Sequence, residues 1–193
     1  MKNFSPKLKR LNLFLVLLLH VASCSNSIQN QPATAGGFQN IENALKDQFG
    51  KGAYYTDLTV TYNKSIGNIV GVTVTEIPES LKMGQWNLTQ GNWQQNSDII
   101  IEVPVGTKAS DFMFQLGDTI SLSKLGALVE QSIKKLKDEK QFENLTLSTA
   151  RVFYPDNGDI SKAEYFVNLQ PENGGTTFRF RYSLNGNLIS MNY

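Results

Sequence analysis

The chain has 193 residues, of which 40% are apolar and 18% charged, proportions of a globular protein with one domain or two small ones. Four of the 18 basic residues precede Cys24 and no acidic residue precedes Glu42. The part from Cys24 onwards therefore carries 14 basic and 17 acidic residues, a net charge of −3. This balance excludes a broad positive field of the kind that holds nucleic acid. We expect no nucleic-acid partner.

The first 23 residues have the three parts of a secretory signal peptide. A basic stretch ends at Arg10, an apolar run covers residues 11–21, and two small residues come directly before Cys24. The apolar run would form about 16 Å of helix, too short to span a hydrocarbon core of about 30 Å. The pattern predicts a signal peptide over residues 1–23 that is removed by cleavage.

The end of this leader, Val21-Ala22-Ser23-Cys24, resembles the lipobox of bacterial lipoproteins. The resemblance implies that Cys24 is acylated through a thioether and becomes the N-terminus of a protein held on the membrane by its lipid. Ser25 in the next position implies sorting to the outer membrane. Cys24 is the only cysteine, so the chain forms no internal disulfide. The alternative is an ordinary secretory signal followed by an incidental cysteine.

After the cysteine, the first half of the chain contains a tether, a helix and four strands. Residues 24–37 are mostly small and polar, which predicts a flexible tether. Apolar residues spaced by three or four predict a helix from Phe38 to Phe49, ended by Gly50. The period then changes to two, which predicts strands at 54–62, 69–75, 82–88 and 93–103.

The second half repeats this order of elements. An apolar stripe predicts a helix over residues 122–137, with lysines at the C-terminal end, where the helix dipole favours cations. Asn185-Gly186 predicts a tight hairpin between the last two strands. The predicted strands cover residues 145–153, 161–169, 177–184 and 187–193.

The fold class is therefore α+β, with two successive units that each contain one helix and a four-stranded antiparallel sheet. The units cover residues 38–104 and 105–193. Asp57-Leu58-Thr59-Val60 and Asn144-Leu145-Thr146-Leu147 follow the two helices at equivalent places, which favours duplication over coincidence.

This doubled layout of a helix and a four-stranded meander resembles the tandem arrangement in the PepSY-like and β-lactamase-inhibitor-like families. The resemblance covers residues 38–193 and rests on no diagnostic motif, so it transfers no residue. It implies a small extracytoplasmic binding or inhibitory module.

The residue types exclude several classes of catalysis. The only histidine, His20, lies in the leader, which removes Ser-His-Asp and Cys-His catalysis and histidine metal ligation from the mature chain. An acylated Cys24 leaves no thiolate for zinc or iron–sulfur sites, and no glycine-rich phosphate loop occurs. We expect no catalytic residue, no metal and no cofactor.

Two carboxylate-containing features remain as alternatives. Glu143 and Glu164 are candidates for the acid–base pair of a histidine-free hydrolase, although a surface role is favoured for both. The segment Pro155–Asp159 offers oxygen atoms to Ca²⁺, but it lacks the spacing of a calcium loop and is also an ordinary turn sequence, which we favour.

Aromatic residues in the first half are candidates for a binding surface. Trp86 and Trp93 flank a polar turn, and Tyr54 and Tyr55 open the first predicted strand. Exposed aromatic rings bind sugars or peptides well because they offer a large contact area at little entropic cost. The favoured alternative is that the two tryptophans cover the sheet core.

Two arginines in the second half are the other candidates. In residues 178–182 aromatic side chains alternate with Arg179 and Arg181, so both arginines lie on the face opposite the aromatic rings. Two arginines on an open sheet face form a clamp for a carboxylate. The favoured alternative is a solvated face paired with nearby glutamate.

Together these features predict a lipid-anchored, non-catalytic module of the cell envelope that binds a protein, peptide or glycan. The leading rival is an inhibitor of a secreted hydrolase, and the third hypothesis is a hydrolase that works through carboxylates alone. A binder or inhibitor should have one concave or aromatic sheet face, whereas a hydrolase should have two carboxylates about 5–10 Å apart in a cleft.

Overall fold

The structure, a computed structural model, describes residues 28–193. The predicted signal peptide, Cys24 and the first residues of the predicted tether lie outside the described residues. A helix and four strands are followed by a second helix and four more strands. The elements are α1 (Ala35–Phe49), β1 (Tyr54–Asn63), β2 (Gly67–Thr75), β3 (Lys82–Thr89), β4 (Asn92–Ile100), α2 (Leu122–Lys140), β5 (Leu145–Phe153), β6 (Glu164–Pro171), β7 (Phe178–Ser183) and β8 (Leu188–Asn192).

All eight strands form one antiparallel sheet in the order β4-β3-β2-β1-β5-β6-β7-β8. The predicted α+β class is confirmed, but the prediction of a separate four-stranded sheet in each unit is wrong. The first strand of each half pairs with the other, with Leu58 opposite Val152 and Val60 opposite Ala150. This pairing satisfies the backbone groups that two separate sheets would each leave on an exposed edge.

Both helices cover the same face of this sheet and pack against each other. One row of side chains on that face crosses seven strands and is almost fully buried, and the helices contribute the matching apolar stripes. Each large side chain in this core contributes about 1.5–3 kcal/mol on burial. The row consists of Leu88, Val70, Val60, Ala150, Val167, Phe180 and the partly buried Met191.

Each helix provides a carboxylate to the N-terminus of the other. Glu42 of α1 is 3% exposed, and its Oε2 accepts a hydrogen bond of 2.7 Å from the backbone N–H of Leu122, the first residue of α2. Glu130 of α2 accepts a hydrogen bond of 2.8 Å from the backbone N–H of Ala35, the first residue of α1. These bonds satisfy backbone donors that the first turn of a helix leaves unpaired, and they place negative charge at the positive end of each helix dipole.

The described residues before α1, 28–34, are fixed to the sheet, which corrects this part of the predicted tether. Ile28 is 2% exposed, and the buried Asn68 donates hydrogen bonds to the carbonyl oxygens of Ile28 (3.1 Å) and Gln31 (2.8 Å). Residues 35–37, also predicted as tether, form the first turn of α1, with Thr34 as its N-cap. Burial of Ile28 and the side-chain hydrogen bonds of Asn68 are tertiary effects that polar composition does not reveal.

A long connection between β4 and α2 occupies part of the second face of the sheet. Strand β4 ends at Ile100, so residues 101–103 belong to this connection and not to the strand predicted there. Met113 packs with Met83 in a small second apolar cluster, and Phe114 then pairs with Tyr55 as an isolated bridge at the start of β1. The connection therefore covers the first half of this face near the start of β1. Among residues 28–193, neither helix is long and apolar enough to cross a bilayer.

Candidate functional site

The face of the sheet opposite the helices carries a row of polar, cationic and aromatic side chains that is interrupted at Gly71. The register of the seven strand pairs connects one residue from each strand in this row, and most of these residues are exposed or half-buried. From β3 to β8, each residue of this row is the immediate chain neighbour of a residue in the buried row on the helix side. From edge to edge it consists of Gln94, Asn87, Gly71, Thr59, Arg151, Phe166, Arg181 and Ser190.

The half of this row on β5–β7 forms a cluster of arginines and phenylalanines, here called the Arg–Phe cluster (Arg151, Phe153, Phe166 and Arg181). The Arg151 guanidinium lies 4.8 Å from the ring centre of Phe166, and the Arg181 guanidinium lies 5.7 Å from the same ring. The Phe153 ring packs edge-on against Phe166, with 5.8 Å between the ring centres. Both guanidiniums are within the range of a cation–π interaction with the Phe166 ring on a solvent-facing surface.

A cavity of about 340 Å³ opens beside this cluster. Arg151, Arg179 and Arg181 line it together with Phe166, and none of its lining residues is acidic. The remaining wall supplies neutral hydrogen-bonding groups: Thr59, Thr149, Asn168 and Asn192. The cavity therefore combines positive charge, an aromatic ring and neutral donors and acceptors.

Two carboxylates lie close to the cluster but do not line the cavity. Glu164 accepts two hydrogen bonds of 2.8 Å from Nε and Nη2 of Arg181, a bidentate pair that raises the pKa of the guanidinium. Asp57 is an exposed residue, but loss of solvent around its carboxylate raises its pKa, and the nearby charge of Arg151 acts in the opposite direction. Arg181 is thus largely engaged, whereas Arg151 has only a loose acidic neighbour.

The predicted aromatic site residues do not lie in this cavity. The Trp86 and Trp93 rings pack edge-on against Phe49 of α1, with ring centres 5.6 Å and 5.0 Å away, so they cover the core on the helix side. Trp86 also lines a shallow cavity of about 330 Å³ at the C-terminal end of α1. This arrangement matches the favoured alternative, in which the two tryptophans cover the core of the sheet.

The two tyrosines are adjacent in β1 and therefore lie on opposite faces of the sheet. Tyr55 is 1% exposed, its ring stacks on Phe114 at 5.8 Å, and its hydroxyl has no hydrogen-bond partner among the described residues. Burial is the main cause of the raised pKa of Tyr55, and the charge of Glu42 adds to it. Tyr54 is half-buried against the second apolar cluster. Tyr55 therefore presents no surface to a ligand.

Arg179 and Arg181 do lie on the open face, as the alternation in β7 predicts. The sequence reasoning missed Arg151, Phe153 and Phe166, which the register brings to their side. They are neighbours on this face because of the bulge in β5 and the pairing of β5, β6 and β7.

The two carboxylate alternatives do not assemble into a site. Glu143 precedes the start of β5, and Glu164 lies opposite Phe153 at the end of β5, so the length of that strand, roughly 25 Å, separates them. The segment Pro155–Asp159 forms a turn, with the carbonyl oxygen of Pro155 accepting a hydrogen bond of 3.0 Å from Gly158 N–H. No group of three or more His, Cys, Asp or Glu residues within 28–193 is arranged to hold a metal.

A cavity larger than the one beside the Arg–Phe cluster lies elsewhere, at the turn between β1 and β2. It has a volume of about 410 Å³ and lies between the fixed N-terminal segment, this turn, Ile133 of α2 and the start of β5. Residues 29–33 form one wall, and Lys64, the only charged residue that lines this cavity, forms an ion pair of 2.8 Å with Glu172. Its wall therefore lacks the unengaged charge found beside the Arg–Phe cluster.

Comparison with known proteins identifies no relative: no family model, no curated protein and no solved structure matches this chain.

Proposed function

We propose that this chain is a lipid-anchored, non-catalytic module of the cell envelope that binds a protein partner on the open face of β5–β8. The observation that carries the proposal is the Arg–Phe cluster. Arginine and aromatic side chains dominate the binding energy of protein interfaces, and here Phe153 and Phe166 remain partly exposed beside two stacked guanidiniums. Inhibition of a secreted hydrolase is one form that such binding takes.

The membrane anchor of the proposal is a lipid on Cys24. Only residues 25–27 separate Cys24 from Ile28, which is fixed to Asn68, and four residues extend at most about 14 Å. The end of the sheet with the turn between β1 and β2 therefore faces the membrane. The outer membrane is the proposed location.

Replacement of Cys24 by serine is expected to abolish the incorporation of labelled fatty acid and to move the protein from the membrane fraction to the soluble fraction or leave it uncleaved. The measurement is metabolic labelling followed by fractionation. Ser25→Ala serves as the matched control and should leave labelling unchanged. Full membrane partition of Cys24→Ser without acyl label contradicts the anchor.

We further propose that the two halves arose by duplication. The support is the equivalence of contacts: each helix begins after a hydroxyl N-cap, Thr34 or Ser121, and each provides a glutamate to the first residue of the other. The first strands of the two halves also form the antiparallel seam of the sheet.

Site-specific photo-cross-linking tests the binding face. A benzophenone amino acid at Asn192, an exposed position beside the cavity, should cross-link a partner protein of defined mass in the intact envelope. The same group at Gln131, exposed on α2 on the opposite side of the molecule, is the matched control and should give no such product. Phe166→Ala should lower the yield from Asn192 about tenfold, because it removes the ring between the guanidiniums. Equal products from both positions, or none from Asn192, contradict the proposal.

A further inference from the structure

The three arginines among residues 28–193 all lie at one place. After Arg10 the chain contains three arginines, Arg151, Arg179 and Arg181, and every other basic residue from Lys46 onwards is a lysine. The three come from two strands, β5 and β7, that are separated by β6, yet all three line the cavity of about 340 Å³ described above. No lysine lines this cavity. Among residues 28–193, arginine therefore occurs only at this cavity, and lysine occurs only elsewhere.

Arginine differs from lysine in ways that matter at this cavity. Its guanidinium is planar, stacks on aromatic rings, and donates two parallel hydrogen bonds to a carboxylate. Stacking is present, because Arg151 and Arg181 lie over the Phe166 ring. The bidentate geometry is also present once, between Arg181 and Glu164.

The other two guanidiniums lack such a partner within the described chain. Of the ion pairs formed among residues 28–193, none includes Arg151 or Arg179 within 4 Å. Arg179 lies between Asn168 and Asn192 in the strand register, so its neighbours on both sides are neutral amides. The cavity therefore holds two cationic groups with unused donors and no acid in its wall.

We propose that this cavity binds the side-chain carboxylate of an acidic residue on the protein partner. The inference rests on the proposed function and deepens it. Arg179 donates to the carboxylate from β7 and Arg151 from β5, while Asn168 offers a further donor. Phe166 and the 36% exposed Phe153 contact an apolar residue next to the acidic one.

A partner side chain fits these observations better than a polyanion does. The chain from Cys24 onwards carries a net charge of −3, and the three arginines are the only charged residues that line the cavity, so the positive charge at this site is small. The exposed aromatic rings add contact area that a small inorganic anion does not use. An acidic residue flanked by an apolar one uses both the guanidiniums and the rings.

Peptide binding to the full chain in detergent micelles tests the inference. The probes are acetyl-Gly-Phe-Glu-Phe-Gly-amide, the same peptide with glutamine in place of glutamate, and inorganic phosphate. In the ¹⁵N-labelled protein, the side-chain Nε–H signals of Arg151 and Arg179 should shift saturably with the glutamate peptide. The glutamine peptide should bind about tenfold more weakly, since it loses a charge-assisted hydrogen bond.

A pair of charge-matched variants gives the control. Arg179→Gln should weaken binding of the glutamate peptide about tenfold, whereas Lys137→Gln, which removes the same charge from an exposed position near the end of α2, should leave it unchanged. Arg179→Lys should recover part of the loss. Arg179 is exposed and forms no ion pair with any residue of 28–193, so we expect the variant to fold, and tryptophan fluorescence verifies this.

Three results would overturn the inference. They are equal affinity for the glutamate and glutamine peptides, an equal loss in Arg179→Gln and Lys137→Gln, and tighter binding of phosphate than of the glutamate peptide. If Arg179→Gln leaves the photo-cross-link from Asn192 at full yield, the carboxylate site is wrong while binding on the open face stands. If the chain with all three arginines gives neither a cross-link from a benzophenone at position 192 nor binding of the glutamate peptide, both proposals are wrong.

Discussion

Replacement of Glu42 by alanine is expected to lower the free energy of unfolding by about 3 kcal/mol. The Glu42 carboxylate is almost fully buried between the helices, where it accepts a hydrogen bond from Leu122 N–H and forms an ion pair of 2.6 Å with Lys46. Its removal leaves the first backbone donor of α2 without a partner in a buried place. The ammonium of Lys46, whose side chain is 24% exposed, also loses its counter-charge.

Denaturant unfolding of the full chain, followed by the fluorescence of Trp86 and Trp93, measures this loss. Glu130→Ala is the matched control, because Glu130 makes the equivalent bond to Ala35 N–H from an exposed position. We expect it to cost no more than about 1 kcal/mol. Glu42→Gln keeps an acceptor and should fall between the two. Equal losses in Glu42→Ala and Glu130→Ala would show that burial is not the source of the difference.

Replacement of Gly126 by alanine is expected to lower the free energy of unfolding by about 2–3 kcal/mol. A Cβ atom at this position of α2 would lie 2.3 Å from the carbonyl oxygen of Thr34 and 2.9 Å from Ala35 N. These are backbone atoms at the start of α1, so a rotamer change cannot relieve the overlap. The helices must separate, and the separation also stretches the bond between Glu130 and Ala35.

Gly36→Ala provides the opposite result with the same substitution. Gly36 lies in the first turn of α1, and a Cβ atom there meets nothing within 4 Å. Alanine should therefore stabilise the protein by about 0.5–1 kcal/mol through its higher helix propensity. The same denaturant titration compares both variants with the parent chain. A stabilising Gly126→Ala would mean that the helices cross at a greater distance than the structure has.

The elements were predictable from the sequence because each depends on local periodicity. All eight strands and both helices occur where alternation or a spacing of three to four residues predicts them, with end positions that differ by a few residues. The prediction of two separate sheets failed because β1 and β5 are about 90 residues apart, and no local pattern reveals their pairing.

Beta-bulges limited the prediction of the site. In β5 the buried positions change from odd to even numbers between Leu147 and Ala150, because a bulge near Ser148 adds one residue. Without this shift, alternation from Leu145 onwards would place Arg151 on the core side and Val152 outside. The Arg–Phe cluster depends on both the bulge and the register of β6, and neither can be read from a single sequence.

The exchange of glutamate caps has a consequence for how the protein assembles. The antiparallel β1–β5 seam and the two reciprocal carboxylates relate the halves as a two-fold axis relates the subunits of a homodimer. In one polypeptide the two halves are covalently linked, so their association does not depend on protein concentration. In either half alone, β1 or β5 would be an unpaired edge strand, and the helix would lack the glutamate from the other helix. We expect such a half to associate with a second copy of itself.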